Sequence, residues 1–327
     1  MKIGNIELKS NIFAAPMAGY SEAGYRYLAG ESGAGLTYTE MISAKGIVYG
    51  SEKTFQLLYK SKKDNNKTAV QIFGSEPEFI YKACKSGVFE KFEIIDINMG
   101  CPVRKIVNNG DGSKLLENPK LAGEIVRAAI EGSRKPVTAK IRSGIDSNNV
   151  LAYDVALELE KAGCSAVTIH PRTRVQMYQG TANHEITKNL KKLLKIPVIA
   201  NGDIKDKDSF ENIKNETDAD AYMVGRASLG NPGIFYELLN RNEVISKYDA
   251  VLEHIAVLNE YMPQHIILNL MKSILCFYLK GLNSVKEIKM KVVSLNNYQD
   301  MMLLINNELK MLYEADLSLK IHKNMVL

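Results

Sequence analysis

The sequence has little cysteine, and its four residues (Cys84, Cys101, Cys164 and Cys276) stand far apart with no C-x-x-C among them. This spacing excludes a disulfide scaffold, a zinc ribbon and a ferredoxin-type cluster. His184, His254, His265 and His322 show no ligand-like spacing, so no metal site is expected. No run approaches the roughly 18 uninterrupted apolar residues of a membrane span, and the opening MKIGNIELKS lacks the apolar core of a secretion signal. The expectation is a reduced, cytoplasmic protein without a membrane segment. Excess charge is also small. The 42 basic and 37 acidic residues leave a net +5, which permits a polyanionic partner without requiring one. Low-complexity linkers are missing. What remains is a chain of 327 residues, 46% hydrophobic and 24% charged, long enough to bury a core without covalent staples.

Eight short apolar runs recur: Ile12–Pro16, Leu36–Glu40, Ala69–Phe73, Ile94–Asn98, Val137–Ile141, Ala166–His170, Pro197–Asn201 and Ala221–Gly225. They do not alternate with polar residues, which is how strands buried on both faces of a parallel sheet read. Helical stretches lie between them. Asn118-Pro119 opens one toward Glu131, Glu76-Pro77 another toward Cys84, and Asn148 is a candidate cap for a third that Gly163 ends. This alternation predicts an α/β fold, a (β/α)8 TIM barrel. An open doubly wound sheet competes, but no G-x-G-x-x-G follows the first run. After about Asn242 the strand-like runs stop and helical periodicity takes over (Val251, Ile255, Leu258; Leu268, Met271, Leu275; Met301, Leu304, Leu309, Leu312). The expected division is a barrel over 1–242 and a smaller C-terminal all-helical domain over 243–327. The tail carries nine lysines and nine acidic residues, so the whole charge excess sits on the barrel.

A barrel of this kind places its site at the carboxyl ends of its strands. Those ends carry Ala15-Pro16-Met17-Ala18, Gln71, Asn98-Met99-Gly100-Cys101-Pro102, Lys140 with Arg142, His170-Pro171-Arg172, Asn201-Gly202-Asp203 and Gly225-Arg226. The last two groups, with Gly230-Asn231-Pro232 behind them, suit a phosphate after strands seven and eight. Lys140 lies in a run expected to be buried. Three readings stay open for it: an ion pair with a carboxylate such as Asp96, a cation held against an electron-rich ring, or a Schiff-base amine. Gln71 and Asn98 suit either core hydrogen bonding or the edge of a heterocycle. Cys101 differs from the other cysteines because Gly100 and Pro102 fix a bend at the rim. A thiol of ordinary pKa, about 8.5, is protonated at neutral pH and can act as a general acid.

At these residues the chain resembles the tRNA-dihydrouridine synthases, most closely their bacterial B-type group. The likeness is carried by Ile95-Asp96-Ile97-Asn98-Met99-Gly100-Cys101-Pro102, with Ile106 and Gly112-Ser113 at matching offsets. The stretches APMAGYSE, QIFGS, KIRSG, IHPRTRVQMYQG, IANGDI and MVGRASLGNP support it. Pro171 stands where the family usually has Gly, and the 107–111 loop departs from the family wording. The resemblance implies an FMN-dependent oxidoreductase that uses NADPH to reduce the C5=C6 bond of uridines in tRNA. Hydride would pass from flavin N5 to C6, and the Cys101 thiol would protonate C5. Pro16, Met17 and Ala18 would line the flavin ring, Gln71 would meet its pyrimidine edge, and Lys140 and His170 would sit beside it. Asn201, Gly202, Asp203, Gly225 and Arg226 would hold its phosphate. Asn98 and Arg172 would hold the uracil edge. Arg104, Lys105, Lys114, Arg142, Arg172 and Arg174 would attract the RNA backbone. The helical tail would bind tRNA, and the default assembly is a monomer. Three rivals remain at this point: a flavin enzyme acting on a small molecule, an RNA-binding barrel without chemistry, and an aldolase using Lys140.

Overall fold

The computed structural model describes residues 1–282 and 285–315. Its strands, in chain order, are β1 (Lys2–Ile3), β2 (Ile6–Glu7), β3 (Ile12–Ala14), β4 (Thr37–Tyr38), β5 (Ile42–Ser43), β6 (Thr68–Phe73), β7 (Ile94–Met99), β8 (Val137–Gly144), β9 (Ala166–Thr173), β10 (Val198–Asn201) and β11 (Ala221–Val224). Eight of them run parallel in the order β3-β11-β10-β9-β8-β7-β6-β4, with β5 beside the upper end of β6. The ring closes where Ala14 N–H donates to Leu36 O (3.0 Å) and Gly35 N–H donates to Ile12 O (2.8 Å). All eight expected runs are thus barrel strands. The hairpin of β1 and β2, and β5, escape sequence reading because two residues carry no periodicity.

Side chains alternate across a strand, so positions two apart share a face. On β7, Ile95, Ile97 and Met99 pack outward with Ile80, Ala122 and Ile125 of the surrounding helices, as do Val137, Ala139 and Ile141 on β8. The intervening positions face the barrel axis. Its lower layer is apolar: Phe13, Leu36, Ala69, Ile94, Ala166, Ile199 and Ala221, with Ile3 and Leu8 of the amino-terminal hairpin plugging the end. Completely burying a side chain such as Ile3 contributes about 1.5–3 kcal/mol. Above that layer the inward positions become polar, and the site begins.

The helices follow local rules with one exception. Asn118 caps helix Pro119–Ser133 by accepting Leu121 N–H (3.1 Å). The expected cap at Asn148 does not form. The helix spans Ala152–Lys161 with Leu151 at its start. Asn148 instead donates its backbone N–H to Asp146 Oδ1 (2.9 Å) in a side-chain-closed turn. Pro171, missing a donor, sits inside β9 where the β8–β9 register slips between Arg142 and Gly144, so no ladder bond is lost.

The C-terminal helices Lys247–Asn259, Gln264–Tyr278, Lys286–Ser294 and Tyr298–Leu304 gather a core of their own around Val251, Ile255, Met271, Leu275, Val292, Met301 and Ile305. Residues 316–327 of the expected helical tail, His322 included, lie outside the described residues. Among the described residues no helix is long and apolar enough to cross a membrane. These helices are joined to the barrel by a buried polar contact. The Glu22 carboxylate accepts Tyr25 N–H (2.9 Å) and Gly24 N–H (2.5 Å) at the start of helix Ala23–Glu31, and meets His254 Nε2 at 2.6 Å. Burial alone would raise the Glu22 carboxyl, but His254 and the two amides hold it below its ordinary value.

Gly230 (φ 63°) lies under helix Gln264–Tyr278, and a Cβ there would overlap the backbone of Phe277 and Tyr278. Neither backbone can yield. Gly230→Ala is expected to cost about 2–4 kcal/mol in urea unfolding, from overlap plus a positive φ. A loss under about 0.5 kcal/mol would show that this contact does not seat the helix.

Candidate active site

The polar layer is built around Asp96, which is completely buried on β7. Its Oδ1 accepts the Thr138 hydroxyl (2.6 Å) and its Oδ2 accepts Gln71 Nε2 (2.7 Å). Gln71 Oε1 accepts Asn98 Nδ2 (2.8 Å). Asn98 Oδ1 accepts the backbone N–H groups of Gly100 (3.2 Å) and Cys101 (2.9 Å). Burial raises the Asp96 carboxyl to about 6, opposed by the Thr138 and Gln71 bonds and by Lys140. It is therefore ionised at neutral pH.

Cys101 is half-buried on the loop leaving β7. Besides Asn98, its loop is held by Ser113 N–H to Cys101 O (3.1 Å) and by Arg142 Nε to Gly100 O (2.8 Å). Burial pushes its thiol up, while the Val103 N–H on the sulfur and the nearby Arg142 pull the other way. The thiol keeps its proton at neutral pH. Cys84 and Cys164 are pushed up to about 12 by burial and act as small apolar residues.

Lys140 stands inside the barrel in register with Asn98. Among the described residues it makes no hydrogen bond or ion pair, so the salt bridge to Asp96 does not form. Burial and the Arg142 charge pull the ammonium down to about 7, with Asp96 opposing. On β9, His170 Nε2 lies 3.2 Å from Arg172 Nη1, and a guanidinium only donates. Nε2 is therefore the acceptor and Nδ1 carries the proton. Burial and the charges of Lys140, Arg142, Arg172 and Arg226 hold this imidazole far below its ordinary range, so it is neutral.

Arg172 is buried and internally committed. It donates to Gln179 O (3.1 Å), Gly180 O (2.6 Å) and both oxygens of Asp203 (2.8 Å each). Asp203 also accepts Ala182 N–H (2.8 Å). Arg142 reaches across to Thr173 O (2.9 Å) and Met177 O (2.7 Å), and Arg174 binds Ser113 and Glu117. Arg142 and Arg174 thus strap the loop after β9 to the Cys101 loop and the segment that follows it, and Arg172 ties it to Asp203 after β10. Tyr178 at its apex lies between the guanidiniums of Arg142 (5.6 Å) and Arg226 (5.1 Å). Asn201 Nδ2 holds Met223 O (2.8 Å), and His184 Nε2 meets Gly202 O at 3.0 Å. A Cβ on Gly202 would lie 3.0 Å from the His170 ring. A Cβ on Gly225 would lie 3.7 Å from Ala15 and 3.8 Å from Met17 Sδ. Arg226 is exposed, 3.9 Å from Asp203. Pro16 and Met17 are half-buried and Ala18 exposed; Ser21 Oγ accepts the Met17 N–H (3.0 Å).

The structure therefore gathers Gln71, Asn98, Cys101 and Lys140 on one side of the mouth. His170, Arg172, Gly202, Asp203 and Arg226 are on the other, and Met17 is beside Gly225. Sequence reading took Asp96 only as a possible ion-pair partner of Lys140 and placed Arg142 at the rim for the RNA backbone; the structure instead makes Asp96 the anchor of the amide row and commits Arg142 to the Gly100, Thr173 and Met177 carbonyls. Sequence reading gave no sign of Tyr178, His184, or Glu40, whose carboxylate accepts Gly19 N–H (2.5 Å).

The dihydrouridine synthase (Dus) family model matches residues 13–315. The chain is 34% identical over 323 residues to tRNA-dihydrouridine synthase B of Pasteurella multocida, covering 93% of this chain and 97% of that protein. It is 35% identical to a probable tRNA-dihydrouridine synthase of Aquifex aeolicus, covering 90% and 94%. Among solved structures, the old yellow enzyme homologue of Zymomonas mobilis shares the fold with a TM-score of 0.56 at 13% identity, over 75% of this chain and 92% of that one. Morphinone reductase does so with a TM-score of 0.54 at 14% identity, over 76% and 91%.

The lone lysine has a measurable consequence. It loses its proton near pH 7 when folded and near 10.5 when unfolded, so the unfolded chain binds more protons between those limits. The ligand-free protein then gains stability as pH rises through that window. Lys140→Met should stabilise it at about pH 6.5 by on the order of 1.4 kcal/mol per unit of pKa displacement, and by much less at about pH 9.5. Equal gains at both pH values in urea unfolding would contradict this account.

Proposed function

The chain belongs to the dihydrouridine synthase family, and from that premise we propose that it reduces the C5=C6 bond of uridines in tRNA, with FMN as its flavin and NADPH as the reductant. The observation that carries this reading is the pairing of β7 with β8. It sets a fixed, protonated thiol loop beside a half-buried amine that makes no hydrogen bond or ion pair among the described residues. Such an amine is unfavourable unless a ligand supplies the missing charge.

The donor set fits a flavin. Lys140 suits the electron-rich edge at N1 and O2. Gln71 retains one N–H and one Oε1 lone pair for the pyrimidine edge, its other groups being committed to Asp96 and Asn98. The backbone of Pro16, Met17 and Ala18 would border the ring, and neutral His170 would offer Nδ1–H. For the phosphate, Arg226 supplies charge beside the turn Arg226–Ser228, which starts without a side-chain cap. Asn201, Gly202, Asp203 and Gly225 would shape that cradle, Asp203 through its backbone because its carboxylate is held by Arg172. FMN bound here would supply the hydride for C6 of the uracil.

Cys101 would deliver the proton to C5 from the opposite face. Three restraints on its loop and the Val103 N–H on its sulfur fix the thiol, and its raised pKa keeps the proton available. Asn98 has a second N–H for the uracil edge, held otherwise only by a weak contact to Met41 Sδ (3.8 Å). Arg172, assigned to that edge by resemblance, would act through the loop whose Gln179 and Gly180 carbonyls it holds. A uracil must leave the RNA stack to enter, at a cost of a few kcal/mol. We assign tRNA presentation to the helical region 243–327.

The test is direct. Protein with flavin absorption near about 450 nm, given unmodified tRNA and NADPH, should form dihydrouridine; turnover of a free pyrimidine instead would reassign it to small-molecule reduction. Cys101→Ala should keep the flavin and its bleaching by NADPH while product formation falls about 10²–10⁴-fold. Because the acid is needed protonated and its pKa lies above the ordinary value, product formation should decline only above about pH 8.5. A decline centred near neutral pH would assign the proton to another group.

A further inference from the structure

The hydrogen bonds from Asp96 to Cys101 have only one consistent direction. At the lower end an ionised carboxylate only accepts; at the upper end the backbone N–H groups of Gly100 and Cys101 only donate. Between them lie two amides, each able to flip. With Asp96 accepting from Gln71 at 2.7 Å, the Gln71 nitrogen must point down and its oxygen toward Asn98. With that oxygen accepting from Asn98 at 2.8 Å, the Asn98 oxygen must point toward the loop, where it receives Cys101 N–H at 2.9 Å. Reversing either amide would set donor against donor at one of its ends and acceptor against acceptor at the other, in a buried row. Thr138, donating at 2.6 Å, occupies the other Asp96 oxygen and keeps the carboxylate from turning.

We propose that Asp96 is a positioning residue: its acceptor-only carboxylate sets the polarity of the Gln71–Asn98 amide chain, and that chain anchors the Cys101 loop and fixes which atoms Gln71 offers a bound ring. The inference rests on the proposed function for the roles of Cys101 and the ring, but the anchoring itself is a property of the ligand-free protein. Asp96 touches neither reacting atom. It acts through two side chains, so its removal should loosen the acid rather than abolish the site.

Amide hydrogen exchange and thiol alkylation in flavin-free protein read this without any turnover. In Asp96→Leu, a substitution of similar size with no acceptor, exchange at Gly100 and Cys101 should rise about tenfold relative to Ile169 on β9. Alkylation of Cys101 by iodoacetamide, followed on its own peptide, should change with it. The paired change Gln71→Glu with Asp96→Asn reverses one bond: the amide introduced at position 96 donates to the carboxylate introduced at position 71, and Asn98 keeps an acceptor. It should return both readouts to within about threefold of wild type, whereas Gln71→Glu alone, which sets two carboxylates against each other, should not. If Asp96→Leu fails to fold, the paired change against Gln71→Glu alone decides the matter. Unchanged exchange at Gly100 and Cys101 in Asp96→Leu or Gln71→Glu, or no recovery in the paired change, overturns the proposal. Absence of dihydrouridine formation by the wild-type protein would instead overturn the function, leaving these exchange results intact.

Discussion

An acceptor-only group inside a barrel constrains everything stacked on it. Asp96 is enclosed by the strands, and its two oxygens meet one hydroxyl and one amide. A buried carboxylate is tolerable only where donors converge on it, so β6 and β8 must present Gln71 and Thr138 at that level. From there polarity is inherited upward through Asn98 to the backbone of Cys101. The Cys101 loop is thus tied to the barrel floor by directional bonds as well as by packing. In a low-dielectric interior a misdirected amide leaves two groups unsatisfied.

The other side of the mouth is organised by charge of the opposite sign. Arg142 and Arg172 are buried yet face mainly carbonyl oxygens of the loop after β9. Guanidinium keeps its proton under all ordinary conditions and presents donors in a fixed fork. Such a strap cannot be released by a modest change in pH. These charges also hold His170 neutral, which leaves one defined donor on a ring that would otherwise titrate near physiological pH. Lys140 is the exception: a half-buried ammonium with no hydrogen bond or ion pair among the described residues. A local rule broken beside the well-bonded row from Asp96 to Cys101 is where function is expected.

The seam with the C-terminal helices uses the same economy of groups. Glu22 both starts the first barrel helix and meets His254 from a helix more than two hundred residues later. The residues just before it, Met17 to Ser21, form the turn that closes on itself through Ser21 and borders Gly225. The helical region and the barrel mouth therefore share one short stretch of chain.

Local pattern alone determined much of this molecule. Short, mainly apolar runs such as Ile94–Asn98 and Val137–Ile141, separated by helical stretches, specify buried parallel strands. The rim then follows, since strand ends are fixed once the strands are, and Gly100 and Pro102 already marked Cys101 as unlike Cys84 or Cys164. The tertiary structure decided the partners. The salt bridge entertained for Lys140 did not form, Asn148 closed a turn instead of capping a helix, and Arg172 turned toward its own loop and Asp203. The direction of the Gln71 and Asn98 amides, the neutrality of His170 and the Glu22–His254 contact also appeared only there. Periodicity reports which face a residue occupies. Hydrogen-bond direction and proton affinity depend on which distant group arrives at that face, and only the closed ring of strands brings those groups together.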